Sequence, residues 1–257
     1  MSGSEAFGMG RTRRMSKVET VIRMGLGMIF MVIISAVFFV VMPLLLPWRH
    51  LRLKTCNLYG KLNGRTLVWF AGARPVFHDR DRIKSQSPAI YVSNHVSTLD
   101  MWMGMWVCPI GGGGLAKKEI SKVPGLGQLY LLSGHPMIDR SNRERAIATM
   151  SETAAFMNKH KLSLWLWPEG TRSKDGRLGP FKKGFVHAAI GTGLPIVPIV
   201  VHNAVRIWPR KGLRFQTGDL HIRVMESVDT KDWSADTVDA HVREVRDIFV
   251  RELGEEE

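Results

Sequence analysis

The chain has little with which to build a disulfide scaffold or a metal knuckle. It holds two cysteines in 257 residues, Cys56 and Cys108, at a spacing that matches no zinc motif. That frugality fits a reducing, cytosol-facing environment. There is no G-x-S-x-G nucleophile elbow, no Walker A loop ending in Lys-Ser or Lys-Thr, and no H-E-x-x-H. These absences dismiss a nucleophile-elbow hydrolase, a P-loop site and a zincin site. Low-complexity tracts are missing too, and 45% hydrophobic with 23% charged residues excludes a disordered chain. Acid is scarce: 23 Asp and Glu face 36 Lys and Arg, a net charge of +13. Ten of those acids lie between Asp229 and Glu257, so the body of the chain is more basic than the total. Such a body seeks polyanions, whether nucleic acid, an anionic membrane face or phosphorylated small molecules. Nucleic acid is disfavoured, because no recognisable module interleaves the basic residues with aromatics.

What is present first is an apolar run. Met24 to Pro47 carries no charged residue, and Met24 to Met42 alone is 19 residues long. As a helix it reaches roughly 28 Å, close to the hydrocarbon thickness of a bilayer. A cleaved signal would have a shorter apolar region followed at once by a small-residue site. The first Ala-x-Ala, Ala71-Gly72-Ala73, lies well beyond Pro47. Five basic residues precede the run (Arg11, Arg13, Arg14, Lys17, Arg23) and five follow it (Arg49, Arg52, Lys54, Lys61, Arg65). The positive-inside rule gives such a segment no orientation as a single crossing. The balance suits a segment that enters one leaflet and returns, turning near Pro43 and Pro47, with Leu51–Phe70 as a second, interfacial arm. A plain span is the alternative. The expected organisation is a basic arm over 1–23, a membrane-anchoring helical motif over 24–70 and an α/β domain over 71–257. The expected location is the cytoplasmic face of a membrane, the inner one in a bacterium.

Beyond Phe70 short apolar strands alternate with helical periodicity. Strands are expected at Pro75–His78, Ala89–Ser93, Leu115–Lys117, Met137–Ile138, Leu162–Trp167, Ile196–Val201 and Leu220–Met225. Helices are expected at Leu99–Val107, Arg143–Lys159, Gly184–Ile190 and Asp236–Leu253, the last as a solvated surface element. The alternation predicts an α/β fold, a mostly parallel sheet flanked by helices. Gly111–Ala116 fits the loose form G-x-G-x-x-A but precedes a strand instead of following one. It reads as a flexible glycine-rich turn.

Polar residues gather just after several of these strands. Asn94-His95-Val96-Ser97-Thr98-Leu99-Asp100 follows the strand Ala89–Ser93. On one regular helix His95 and Asp100 would stand about 140° apart. They meet only if His95 sits on the turn and Asp100 in the first helical turn, with Ser97 as cap. Asp100 would then hold one imidazole nitrogen and leave the other free as a base. An H-x-x-x-x-D match arises by chance about 0.4 times in a chain of this composition, so the pair alone does not define a chemistry. Trp167-Pro168-Glu169-Gly170-Thr171-Arg172-Ser173 follows another strand and offers an acceptor and a guanidinium fork. Gly134-His135-Pro136-Met137-Ile138-Asp139-Arg140 ends in an arginine, and Lys117 and Lys118 end a further strand.

Together these blocks resemble the glycerolipid acyltransferase family, in its bacterial-type 1-acyl-glycerol-3-phosphate branch. The resemblance rests on Asn94-His95-x-Ser97-x-x-Asp100, Gly134 to Arg140, Pro168 to Ser173 and Leu194-Pro195-Ile196-Val197-Pro198, in order. It is supported by Ala116-Lys117-Lys118-Glu119, Gly127-Gln128-Leu129-Tyr130 and Phe181-Lys182-Lys183-Gly184. It covers roughly residues 75–225. Trp167 stands where the family usually has Phe, and Met137 where it often has another aromatic or aliphatic residue. The resemblance implies acyl transfer from acyl-CoA or acyl carrier protein to the free hydroxyl of 1-acyl-glycerol 3-phosphate, giving phosphatidic acid, without metal or cofactor. It implies His95 as base and Asp100 as its support. Arg140, Arg172 and one of Lys117 or Lys118 would hold phosphate, with Glu169 and Gly170 shaping the glycerol site and Thr171 also binding substrate. Membrane phospholipid is an expected partner. Other acceptors in the family, glycerol 3-phosphate or a lyso-aminolipid, are the near alternative; a non-catalytic lipid-binding protein is the distant one, and the intact His95 and Asp100 speak against it.

Overall fold

A computed structural model describes residues 7–8, 10–114, 116–117, 121–122, 126–138, 143–210 and 212–255. The elements in chain order are β1 (Arg13–Arg14), α1 (Lys17–Leu44), α2 (Arg49–Phe70), β2 (Ala73–His78), α3 (Arg82–Ser85), β3 (Ile90–Ser93) and α4 (Leu99–Val107). Then come β4 (Gly112–Gly114), β5 (Ala116–Lys117), α5 (Leu126–Ser133), β6 (Met137–Ile138), α6 (Arg143–His160) and β7 (Ser163–Leu166). The chain continues with α7 (Gly184–Thr192), β8 (Ile196–His202), α8 (Ala204–Ile207), β9 (Gln216–Val224) and α9 (Val238–Leu253).

Seven of the described strands form one sheet in the order β1-β9-β8-β3-β7-β4, with β2 also paired to β9. β3 is parallel to β7 and β8, and β4 is parallel to β7. β9 runs antiparallel to β8 and β1 but parallel to β2. β8 is buried along all of its seven residues, as a strand covered on both faces must be. The period-two alternation decides which layer each side chain enters. Tyr91, Val197, Ile199 and Val201 face the layer of α2, α4 and α8. Ile90, Val92, Leu164 and Val200 face α6, α7 and α9.

α1 and α2 form a hairpin on the first layer. Ser16 caps α1 by accepting the Glu19 N–H at 3.0 Å. α1 is long and apolar enough to cross a membrane, and only 11% of its most apolar stretch is buried, while Phe38 and Met42 pack inward. Val18, Ile29, Val32, Val40 and Leu44 are among its exposed side chains. α2 lies between α1 and the domain. A Cβ built at Gly64 would overlap the backbone of Trp102 and Trp106 on α4, so glycine permits the close crossing of the two helices.

Two expectations change. Gly112–Gly114 is not a turn but strand β4, paired with Ser163–Trp165. Cβ atoms there would meet Cys108 Sγ, the Pro109 carbonyl or Met157 Cε. Gly112 is the crowded position, against Cys108 Sγ, and the absence of side chains along all three glycines hid the strand's periodicity. The closing helix is also more than a solvated element. α9 buries Val238, Val245 and Phe249, and its Glu252 joins Arg223 of β9 at 3.0 Å.

Candidate active site

Because β3, β7 and β8 are parallel, their carboxyl ends lie on one side, where open α/β sheets bind ligands. The His95 block follows β3, the Glu169 block follows β7, and residues 203–214 follow β8. Asn94 ties two of these ends together: its amide donates to the Val201 carbonyl at 3.0 Å and accepts the Val201 N–H at 2.9 Å.

The turn after Asn94 is organised by Asp100, which is wholly buried. Its Oδ2 accepts the N–H groups of Val96 and Ser97, both at 2.6 Å, and lies 3.3 Å from His95 Nδ1. A proton on Nδ1 facing the carboxylate leaves Nε2 as the acceptor nitrogen. The His95 side chain keeps 19% of its surface exposed, and the Trp167 ring packs on it with centroids 5.0 Å apart. Ser97 does not cap α4 from the N-cap position, which is Thr98. Its hydroxyl accepts the Leu99 N–H at 3.1 Å and donates to the Trp208 carbonyl at 2.7 Å.

The block after β7 closes against the same turn. Glu169 Oε1 accepts the His95 N–H at 3.0 Å, and the Ser173 N–H donates to the His95 carbonyl at 2.8 Å. Arg172 donates to the Thr98 hydroxyl. Gly170, with φ +68°, makes the turn. Thr171 is exposed at its edge. Glu169 itself is buried, 3% exposed, and burial pushes its carboxyl up to about 7 against the help of the His95 N–H. A folded-state value above the unfolded one means that the native protein binds this proton more tightly. The associated stability is present at acid pH and is lost as pH rises through about 7. Glu169→Gln removes that loss while keeping an acceptor for His95. Thermal unfolding in detergent should therefore show the variant gaining on the native protein between pH 5 and pH 8, at up to about 1.4 kcal/mol per pH unit. Parallel curves would remove Glu169 as a titrating group.

Of the other expected residues, β5 and β6 pair Lys117 with Ile138 along the backbone. Lys118 and Arg140 lie outside the described residues. The segment leading to Arg140 is gripped by α2: Arg49 Nε donates to the Gly134 carbonyl at 2.9 Å, and Arg52 donates to the Leu132 carbonyl. His135 is no candidate base, since burial pushes it down to about 4. The sequence reading missed Asn94, Trp208, Arg49 and Arg52 as organisers of the site. Only Asn94, inside the His95 block, left a local signal.

A base-competent imidazole on a buried carboxylate, beside an arginine and at the carboxyl end of a parallel sheet, is suited to activating a hydroxyl group. Residues 74–202 match the family model described as Acyltransferase. The chain belongs to that family and is an acyltransferase. It is 42% identical over 223 residues to the 1-acyl-sn-glycerol-3-phosphate acyltransferase of Limnanthes douglasii, covering 86% of this chain and 79% of the relative. It is 32% identical over 204 residues to the Escherichia coli (strain K12) protein of the same name, covering 77% and 81%. The fold resembles the crystal structure of PlsC, the 1-acyl-sn-glycerophosphate (LPA) acyltransferase from Thermotoga maritima. That match has a TM-score of 0.64 and 21% identity, over 89% of this chain and 97% of the other.

Proposed function

We propose that this chain transfers a fatty acyl group from acyl-CoA or acyl carrier protein to the free hydroxyl of 1-acyl-glycerol 3-phosphate, yielding phosphatidic acid. The observation that carries the reading is His95 Nδ1 held 3.3 Å from the buried Asp100 carboxylate. His95 Nε2 takes the hydroxyl proton as the oxygen attacks the thioester carbon. Asp100 stabilises the imidazolium. The tetrahedral adduct collapses, the C–S bond breaks, and the imidazolium returns its proton to the departing sulfur. No bond to the protein forms. Arg172, Arg140 and one of Lys117 or Lys118 hold the acceptor phosphate, while Glu169 and Gly170 shape the site around the glycerol and Thr171 lines it. Glu169 acts there through the His95 main chain.

Purified protein should turn over lysophosphatidic acid in preference to glycerol 3-phosphate or a lyso-aminolipid. Turnover confined to either of those would overturn the acceptor assignment. Arg172→Ala removes a charge-assisted contact worth about 1.5–3 kcal/mol. The acceptor KM should rise about tenfold to a hundredfold with the donor KM unchanged; the reverse pattern would place the donor's phosphates on Arg172.

In this proposal residues 1–23 are a basic arm, 24–70 the membrane anchor and 71–257 the catalytic domain. The α1–α2 hairpin lies in one leaflet, with the arm and catalytic domain both on the cytoplasmic face. Balanced basic flanks, the turn after Pro43 and the exposed α2 residues Leu51, Leu58, Leu62 and Trp69 support this arrangement. A single cysteine in the N-terminal arm, in a background lacking Cys56 and Cys108, should resist an impermeant reagent outside intact cells until the membrane is opened. Labelling from outside would establish a full span.

A further inference from the structure

The segment after β8 carries Arg206, Arg210, Lys211 and Arg214 and no acid between residues 206 and 214. Arg206, Arg210 and Arg214 are exposed. So is Leu213 at the loop's tip, 48% exposed, next to Gly212 with its φ of +84°. This loop is joined to the base of α1. Phe215 accepts the Met15 N–H at 2.9 Å, and Arg13 and Arg14 pair with Thr217 and Gln216 at the start of β9. Arg11, Arg13, Arg14 and Lys17 are all exposed there. The nearby acids are few: Glu19 pairs with Arg13 and Arg23, Asp219 pairs with Arg74, and Asp175 caps its own turn. The first exposed apolar residues of α1, Val18, Val21 and Ile22, follow directly. The other end of the loop reaches the site, where Arg210 donates to the Ser173 carbonyl at 2.8 Å and Trp208 accepts from Ser97.

We infer that residues 206–210 and 212–214 and the arm around Arg11–Lys17 form one cationic collar that docks on anionic phospholipid headgroups, with Leu213 entering the leaflet edge and the His95 rim held at headgroup height. The inference rests on the membrane-anchor reading and names the surface that completes it. Cations surrounding an exposed leucine, continuous with an apolar helix face, fit an anionic interface. A site for the donor's phosphates alone gives the exposed leucine no role.

The test uses the full chain lacking Cys56 and Cys108, with Leu213→Cys carrying an environment-sensitive fluorophore and Lys161→Cys as a control at the opposite strand ends. Reconstituted into phosphatidylcholine vesicles with increasing phosphatidylglycerol, the label at 213 should shift to the blue and revert in high salt, while the label at 161 stays constant. Arg206→Gln with Arg214→Gln, in the Leu213→Cys protein, should raise the phosphatidylglycerol fraction needed for that shift, because each charge removed weakens the docking equilibrium by about fivefold. A label at 213 indifferent to lipid charge would overturn the inference. So would a shift produced by coenzyme A without anionic lipid, which would make the loop a donor site. With Leu213 intact, the same two Gln substitutions should abolish any dependence of the lysolipid KM on phosphatidylglycerol; persistence of that dependence counts against the collar. If the native protein fails to turn over lysophosphatidic acid while the label still responds, the function proposed above fails and the collar stands.

Discussion

His95→Ala should lower acyl transfer by at least about 10²–10⁴ while leaving the fold intact. The imidazole stacks on Trp167 and keeps part of its surface exposed, while the hydrogen bonds that hold its turn to the strand-end block are made by its main chain to Glu169 and Ser173. Alanine keeps both of those bonds. What disappears is the only group placed to accept the hydroxyl proton in the proposed mechanism. Initial rates with lysophosphatidic acid and acyl-CoA, alongside thermal unfolding in the same detergent, separate the two effects. Turnover like that of the native protein would end the assignment of His95 as base, and a collapse of stability would recast it as structural.

Asp100→Asn should be nearly as damaging, by about 10²–10⁴ in kcat, with the acceptor KM changed little. Asp100 Oδ2 accepts two main-chain N–H groups besides facing His95. An amide oxygen can go on accepting those two bonds, so the turn survives. The amide carries no negative charge, so with its oxygen in the place of Oδ2 it can still accept from Nδ1 but cannot stabilise an imidazolium electrostatically. A loss of only about twofold would show that Asp100 ties the turn and leaves the chemistry to His95 alone.

The pattern of elements was legible because their signals are local. Ile90-Tyr91-Val92-Ser93 and Ile196–Val201 read as buried strands from composition, and Leu99–Val107 as a helix with the same bounds that the structure has. Likewise, the uncharged run from Met24 announced a membrane-compatible helix, although the folded helix begins earlier, at Lys17, where Ser16 supplies the cap. Strand β4 was not legible. Three glycines carry no periodicity, and Met157, which a Cβ at Gly113 would meet, is brought near only by the fold.

By itself the sequence determined that His95 and Asp100 follow one strand and Glu169 and Arg172 another, because motif spacing and hydrophobic period are properties of neighbouring residues. Tertiary structure alone decided how those groups act on one another. Glu169 lies 74 residues from His95 yet accepts its N–H, and burial raises its carboxyl to about 7. Arg49 lies 85 residues from the Gly134 carbonyl that it holds, and Arg210 reaches Ser173 across 37. Burial and long-range hydrogen bonds exist only once the parallel sheet has brought its carboxyl ends together, so no local pattern could encode them.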